Sequence, residues 1–424
     1  MVSAGVGLRG PDLATPPDAA TRFEIGSVTK GLTGMLLADL VADGTVRLDQ
    51  RVQELLPRLR GTAVGTVTLE ELATHRSGLP RVPADPRALA RAAAAEVTAG
   101  NPYDGVTPAS LVDSAAAGGT DGRGEFAYSN LGMALLGHAL AASASTSYPE
   151  LLERRILRPL GMSDTVVVAP GEPPPPAAAA GARAAGRPAS PWPSAGYAPA
   201  GGGVWSTTTD LSRLLAALLE GRAPGAEAVR PRHSAGADDR IGLGWVTSRH
   251  GHRTVTWHNG TTGGFAAWAG HEPGGRRAAV VLSNTDRSVD RVALRLLGAA
   301  AQSERADGPG LARVLGTVVL SLWGGAALLV VARRRDLDRL RVVEATLSAV
   351  ALLGLAAVLG AWQAVPSAVW LAGTGLAGVG LALAGSRWRG LPPTPRRRPA
   401  LRWASTLTTG ALALLVVLLA ALPG

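Results

Sequence analysis

Residues 23–43 have the sequence FEIGSVTKGLTGMLLADLVAD, in which a short extended run precedes a helical pattern of apolar residues over 29–43. Ser27 and Lys30 lie where the run turns into the helix. Side chains three residues apart share a helix face, so Lys30 can hydrogen-bond the Ser27 hydroxyl, and the free N–H groups of the first turn can face an oxyanion. The motif predicts Ser27 as a nucleophile activated by Lys30. Taken alone, it fits a helix-capping serine beside a solvated lysine equally well.

Lys30 is the only lysine in the chain; the other 41 of its 42 basic residues are arginines. Arginine can replace lysine at most solvated positions, but it keeps its proton near neutral pH, whereas a desolvated lysine can lose it. The single amine, placed beside a serine, therefore indicates a role in proton transfer.

A second polar group, Tyr128-Ser129-Asn130, lies directly before a helical pattern over 130–143. A phenol beside a lysine ammonium has a lowered pKa and can pass a proton. The Asn130 amide can hold a substrate carbonyl or orient the lysine. We therefore expect Tyr128 to share proton transfer with Lys30, although a tyrosine packed at a helix start has the same pattern.

The third polar group, His258-Asn259-Gly260-Thr261, ends a strand pattern. Glycine at 260 lets a substrate backbone approach the strand edge, and the Thr261 N–H is a candidate second oxyanion donor. His258 could donate to a substrate carboxylate or tune the tyrosine. A lone histidine at such a position is more often a structural surface residue, so the group gains its meaning from the other two.

Further helical patterns cover 208–220 and 289–303, and strand patterns cover 241–248, 253–258, 264–271 and 277–284. Short turns separate the strands, as in an antiparallel meander. Residues 169–200 are rich in Pro, Ala and Gly and predict a flexible surface loop. Residues 1–305 are thus predicted to form an α/β domain with an antiparallel sheet flanked by helices. A largely helical portion covers about 50–235, and the active site lies at their junction.

A membrane domain is predicted over 306–424, where four apolar runs (about 311–332, 345–362, 364–385 and 406–422) have the length needed to span a bilayer core. Eleven arginines lie in the linkers after the first and third runs, and none lies between the second and third. By the positive-inside rule both linkers are cytoplasmic, which places the 1–305 domain on the extracytoplasmic side of the cell membrane. The inverted orientation is the alternative, and it would carry all eleven arginines across.

Composition narrows the function classes. Because the net charge of +10 includes those eleven arginines, it indicates membrane topology and no nucleic-acid partner. The chain has no cysteine, which excludes disulfides, thiolate catalysis and cysteine-based metal sites. No metal or cofactor is predicted.

Taken together and in this order, S-x-x-K, Y-x-N and H-x-G resemble the β-lactamase-related serine hydrolases, which include class C β-lactamases, D-Ala-D-Ala carboxypeptidases and related esterases. Segments around the motifs extend the resemblance over about residues 1–300: TLEELATHRSGLP (68–80), FAYSNLGMALLGHAL (126–140), ILRPLGMSDT (156–165), AGGGVWSTTTDLSRLL (200–215), IGLGWV (241–246) and HNGTTGGFAAW (258–268). Tyr128 and His258 make the chain more similar to the class C branch than to the S-D-N and K-T-G set of class A.

The resemblance implies that Ser27 attacks a carbonyl to form an acyl-enzyme, which water then hydrolyses, while Lys30 and Tyr128 share the base and acid work. It further implies that Asn130 contacts the acyl side of the substrate and that the N–H groups of Ser27 and Thr261 form the oxyanion hole.

The sequence departs from the family pattern at two points. His258 stands where β-lactamases usually have lysine, which weakens the case for carboxylate recognition and for lactamase activity. The opening helix and one strand of such domains are missing, so we expect the natural start, with an export signal, to lie upstream.

The expected function is that of a membrane-anchored serine hydrolase acting on a cell-wall peptide, a small ester or a β-lactam. One alternative is a catalytically silent, penicillin-binding-like sensor, although a binding module needs no nucleophile with a proton partner. A transporter is the second alternative, but the apolar runs contain almost no charge beyond Glu344.

Overall fold

The structure is a computed structural model, and it describes residues 2–10, 15–83, 85–183, 187–236, 238–299, 311–362, 364–394, 403–411 and 413–414. The chain divides into two compact units, one within 1–95 and 99–302 and the other within 303–424 together with 96–98. The helices are α1 Thr29–Ala42, α2 Val52–Leu55, α3 Leu69–Ala73, α4 Pro86–Thr98, α5 Pro108–Ala116, α6 Asn130–Ser143, α7 Tyr148–Leu152, α8 Thr208–Leu219, α9 Asp290–Leu296, α10 Leu311–Ala332, α11 Arg339–Leu359 and α12 Ala368–Arg387. The strands are β1 Phe23–Glu24, β2 Val166–Val167, β3 Val204–Ser206, β4 His233–Ser234, β5 Asp239–Ile241, β6 Val246–His250, β7 Arg253–Thr261, β8 Ala266–His271 and β9 Ala278–Ser283.

The main sheet of the first unit is an antiparallel meander in the order β4-β5-β6-β7-β8-β9. Successive side chains of a strand face opposite sides, and β8 uses both faces. Ala266 and Trp268 pack in one apolar cluster with α9, while Ala267 and Ala269 join the large core formed with α1, α6 and α8. Helices therefore cover both sides of the sheet, as the predicted fold class requires.

A second, small sheet in the order β1-β3-β2 holds the residues just before Ser27. Phe23 pairs with Ser206 and Glu24 with Trp205 in antiparallel register. Strands of two or three residues leave too short a pattern to detect, so apart from the extended run before Ser27 the sequence did not predict this sheet.

Helix α1 is a buried element of the first unit, and Lys30 in its first turn is completely buried. Gly34 permits the approach of the turn between β5 and β6, because a Cβ there would lie 1.8 Å from the carbonyl oxygen of Leu243. Helix α6 packs against α1, and its N-cap, Ser129, accepts a hydrogen bond from the Gly132 N–H at 2.8 Å. These two helix starts carry the first two motifs into one region.

The predicted fold class is confirmed, with two local corrections. The strand predicted over 241–248 is interrupted, because the chain turns between Ile241 and Val246 and Gly244 has φ +73°. The segment 169–200 is exposed at 169–174, but Tyr197, Ala198 and Ala200 are buried, so a surface loop was the wrong prediction for its end, 196–200. Irregular backbone can be buried there because its carbonyl groups find partners, as described below.

Within its described residues, the second unit contains three helices, α10, α11 and α12, that are long and apolar enough to cross a membrane. Small residues allow α10 and α12 to pack closely: a Cβ at Gly325 would lie 1.9 Å from the Gly373 carbonyl oxygen. The second span begins earlier than predicted, at Arg339, because Asp338 caps the helix by accepting from the Arg341 N–H at 2.8 Å. The fourth predicted span, 406–422, is described as helix only up to 414, and the remainder lies outside the described residues.

Candidate active site

Ser27 lies in a short 3₁₀ turn, Gly26–Val28, that joins β1 to α1. Its Oγ is 2.7 Å from Nζ of Lys30 and 2.9 Å from the hydroxyl oxygen of Tyr128. The structure thus brings together Ser27, Lys30 and Tyr128, the residues for which the first two motifs predicted nucleophilic attack and proton transfer. Ser27 is only partly buried, so its hydroxyl is open to a ligand.

Lys30 is completely buried and also hydrogen-bonds the carbonyl oxygen of Ala200 at 2.7 Å. Burial lowers the pKa of Lys30 well below its ordinary value, and the positive charge of Arg81 lowers it further. A neutral amine at this position has a lone pair that can accept the Ser27 proton, while one N–H stays on Ala200.

Tyr128 differs from expectation in its titration. The sequence predicted a pKa lowered by the lysine ammonium, but burial raises the pKa of Tyr128, and the Ser27 hydrogen bond and Arg81 only partly oppose this. The reason is that the phenol is itself buried, and exclusion of water disfavours the charged phenolate more than the neighbouring groups favour it. Tyr128 is therefore a proton donor held in its neutral form.

Asn130 begins α6 next to Tyr128 and is buried. Its side-chain N–H donates to the hydroxyl of Tyr103 at 2.9 Å, and its Oδ1 has no partner among the described residues. Tyr103, which stacks on Tyr197 with ring centroids 4.1 Å apart, was not singled out from the sequence. Asn130 is thus oriented by a tyrosine and leaves an acceptor unused.

His258 is buried, which contradicts the surface position that a lone histidine suggests. Its Nδ1 lies 2.6 Å from the carbonyl oxygen of Asn259, an acceptor only, so Nδ1 carries the proton and Nε2 the lone pair. Burial, aided by the charge of Lys30, lowers the pKa of His258 to about 3. The side chain is neutral and cannot provide a positive charge at physiological pH.

Strand β7 passes directly beside the Ser27 turn. A Cβ at Gly260 would lie 2.0 Å from the Ile25 carbonyl oxygen and 2.9 Å from the Ser27 amide nitrogen. A Cβ at Gly26 would lie 3.1 Å from the Thr261 amide nitrogen. Only glycine at 260 permits this approach, which brings the backbone amides of Ser27 and Thr261 into one small region.

His75 is a site residue that the sequence did not disclose. It lies in the left-handed region at φ +56°, accepts a hydrogen bond from the Ser129 N–H at 3.2 Å, and packs its ring 4.6 Å from that of Tyr128. Burial lowers the pKa of His75 well below its ordinary value, with further contributions from Lys30 and His258. A neutral ring thus supports one face of Tyr128. Its segment, 68–80, carries part of the family resemblance, but nothing in that segment marks His75 as a site residue.

Glu24 is a second residue that the sequence did not disclose. It is buried three residues before Ser27, and its Oε1 accepts a hydrogen bond from the Trp192 N–H at 2.8 Å. Burial raises the pKa of Glu24 to about 7. The carboxyl group thus links β1 to the later part of the 169–200 segment.

Comparison with known proteins agrees with this geometry. A family model described as Beta-lactamase matches residues 1–303. The chain belongs to the β-lactamase family. It is 31% identical over 277 residues to the D-alanyl-D-alanine-carboxypeptidase/endopeptidase AmpH of Escherichia coli (strain K12), which covers 59% of this chain and 68% of that protein. It is 30% identical over 175 residues to penicillin-binding protein 4 of Amycolatopsis lactamdurans, which covers 39% of this chain and 41% of that protein.

Solved structures of the β-lactamase family show the same fold. One class C β-lactamase aligns with a TM-score of 0.59 at 22% identity, covering 70% of this chain and 88% of the other. Family membership supports serine hydrolase chemistry at the level of the family. Within the described residues, the structure contains no group of three or more His, Asp or Glu side chains that could hold a metal ion.

Proposed function

We propose that this protein is a membrane-anchored serine hydrolase that acts through an acyl-enzyme on Ser27. The observation that carries the proposal is the position of Ser27 Oγ, within 2.9 Å of both a buried amine and a neutral phenol. A silent sensor, the alternative, needs neither of these groups. Burying the only lysine of the chain costs free energy that a capping role for Ser27 would not require.

In the proposed mechanism, the neutral amine of Lys30 takes the Ser27 proton as Oγ attacks the substrate carbonyl carbon. The N–H groups of Ser27 and Thr261 stabilise the oxyanion. Tyr128 donates its proton to the departing amine or alkoxide when the bond to the leaving group breaks, and the proton held by Lys30 restores the phenol. A water molecule then attacks the acyl carbon and gives one proton to the neutral amine of Lys30. As the bond between the acyl carbon and Ser27 Oγ breaks, this proton passes to Oγ and restores the free serine.

The proposed substrate is an amide or ester with its acyl part beside Asn130, the contact that the family resemblance implies. The name of the Escherichia coli relative makes a peptide ending in D-alanyl-D-alanine the first candidate. We further propose that the catalytic unit faces the extracytoplasmic side, where such peptides occur. Supporting this orientation are the arginines beside the spans, including exposed Arg333, Arg334 and Arg335.

Labelling by a fluorophosphonate or by a fluorescent penicillin, followed by peptide mass mapping, tests the function. Wild-type protein should carry one adduct on Ser27, and Ser27→Ala should carry none and lose hydrolysis of p-nitrophenyl acetate. Ser234→Ala, at an exposed serine on β4, is the matched control and should label normally. Turnover in Ser27→Ala equal to that of wild type would sink the proposal. Release of D-alanine from diacetyl-L-lysyl-D-alanyl-D-alanine distinguishes a peptidase from an esterase.

A further inference from the structure

The third motif leaves the site without a positive charge that could bind an anionic substrate. His258 is buried and neutral, and its Nδ1 proton is engaged by the Asn259 carbonyl. Lys30 is buried beneath Ser27 and favours its neutral form. If the substrate carries a carboxylate, another residue must supply the charge.

Arg81 is placed to do so. Its side chain is exposed, and its guanidinium carbon lies 5.4 Å from the centre of the Tyr128 ring. Within the described part of the chain, that guanidinium contacts the Tyr128 ring but makes no hydrogen bond or ion pair. By contrast, Arg123 of the same unit forks onto Glu71, and Arg155 bridges Asp39 and Asp43.

The backbone of Arg81 is held firmly although its charge is free. The carbonyl oxygen of Arg81 accepts hydrogen bonds from the N–H groups of Asn130 at 3.1 Å and Leu131 at 3.2 Å. These bonds fasten the residue to the first turn of α6, which begins at Asn130. The charge of Arg81 also reaches into the site, because it lowers the pKa of Lys30 as the second cause after burial.

We propose that Arg81 is a substrate-binding residue that pairs with a carboxylate on the acyl part of the substrate. This inference rests on the proposed function, because it takes Ser27 as the acylated residue and Asn130 as a contact of the acyl part. A guanidinium presents two parallel N–H groups to a carboxylate. The resulting ion pair is stronger where bound substrate partly excludes water than where both groups are fully solvated. The preferred substrate is therefore an acidic acyl donor.

Two pairs of esters test the proposal: mono-p-nitrophenyl adipate with its neutral adipamide counterpart, and the corresponding suberate pair. Each pair differs only in a terminal carboxylate or a primary amide on the acyl part. Wild-type protein should prefer the carboxylate by about tenfold or more in kcat/KM. Arg81→Gln should reduce this ratio to near one, and Arg81→Lys should keep part of it. Arg60→Gln, at an exposed arginine that follows a distant 3₁₀ turn, should keep the wild-type ratio.

A ratio unchanged by Arg81→Gln would overturn the proposal. So would a preference that appears only for m-carboxyphenyl acetate, in which the carboxylate is on the leaving group. Calorimetric binding of N-ethyl adipamic acid and its primary amide to Ser27→Ala provides a readout without turnover. If wild-type protein hydrolyses none of the esters but Ser27→Ala binds the acid more tightly in an Arg81-dependent way, the hydrolase proposal fails and the anion site stands. If the esters are cleaved without any preference for the carboxylate, the hydrolase proposal stands and the assignment of Arg81 fails.

Discussion

The side-chain nitrogen of Lys30 lies 2.7 Å from the carbonyl oxygen of Ala200, a residue 170 positions later in the chain. This contact leaves the amine lone pair free for Ser27. Because Lys30 is fully buried, the space around its side chain fits an amine but no larger group. A guanidinium would be too large for the site and would stay protonated.

Lys30→Arg should therefore lose almost as much activity as Lys30→Ala, about a hundredfold or more in kcat/KM, or about 3 kcal/mol in barrier. The assay is hydrolysis of p-nitrophenyl acetate, with the melting temperature measured on the same samples. Arg60→Lys is the matched control for an arginine–lysine exchange. Retention of more than about a tenth of the activity by Lys30→Arg would show that Lys30 acts only as a charge.

Tyr128→Phe removes the hydroxyl that lies 2.9 Å from Ser27 Oγ while keeping the ring that packs on His75. Loss of a general acid typically lowers the rate by about a hundredfold to ten-thousandfold, and we expect kcat/KM to fall within that range. The melting temperature should change little, because the deleted hydroxyl is on the ligand side of the ring.

Tyr148→Phe serves as the control for this prediction. Its buried hydroxyl is 2.7 Å from Thr33 Oγ1 and takes no part in the proposed mechanism. This variant should lose stability and keep most of its activity, the opposite of Tyr128→Phe. Comparable activity losses in the two variants would contradict a proton-transfer role for Tyr128.

Glu24→Gln should change how stability depends on pH. Burial raises the pKa of Glu24 from 4.5 to about 7, so the folded state binds this proton more tightly than the unfolded state does. The contribution of Glu24 to the free energy of unfolding is full below pH 4.5, falls as the pH rises to about 7, and is constant above. At 1.36 kcal/mol per pKa unit, the rise in the pKa from 4.5 to about 7 corresponds to a total fall of about 3 kcal/mol.

Glutamine keeps an oxygen for the Trp192 N–H but has no charge to desolvate. The melting temperature of Glu24→Gln relative to wild type should therefore rise from pH 4.5 to pH 7 and then level off. Purified full-length protein in detergent is suitable for the measurement. His75 and His258 titrate in the opposite sense but are common to both proteins, so their effect cancels in the difference. A difference that does not vary with pH would refute the prediction.

The absence of cysteine allows a direct test of membrane orientation. Pro174→Cys places a thiol in the exposed part of the 169–200 segment, and Arg335→Cys places one in the exposed linker after α10. In intact cells expressing the native gene, a membrane-impermeant maleimide should label the first variant and spare the second until the membrane is opened. The inverse result would overturn the extracytoplasmic location and, with it, cell-wall peptides as the substrate class.

Several elements were predictable from the sequence because they depend on local patterns. The starts of α1 and α6, strands β7 to β9, and three spans follow from periodicity and caps over ten or more residues. The helix predicted over 289–303 ends at Leu296, where Gly298 follows with φ +69°, and 300–303 lie outside the described residues. Strands of two or three residues carry no periodicity, so β2, β4 and β5 could not be predicted.

By itself, the sequence determined the family, the fold class and the order of the three motifs, because these are written in residue types at short spacing. It also marked Lys30, through the absence of any other lysine. Only the tertiary structure decided the charge states: burial makes Lys30 and His258 favour their neutral forms and keeps Tyr128 protonated. The pKa of a side chain depends on solvent exclusion and on neighbours from distant segments, such as Ala200 and Arg81, and no local pattern encodes these.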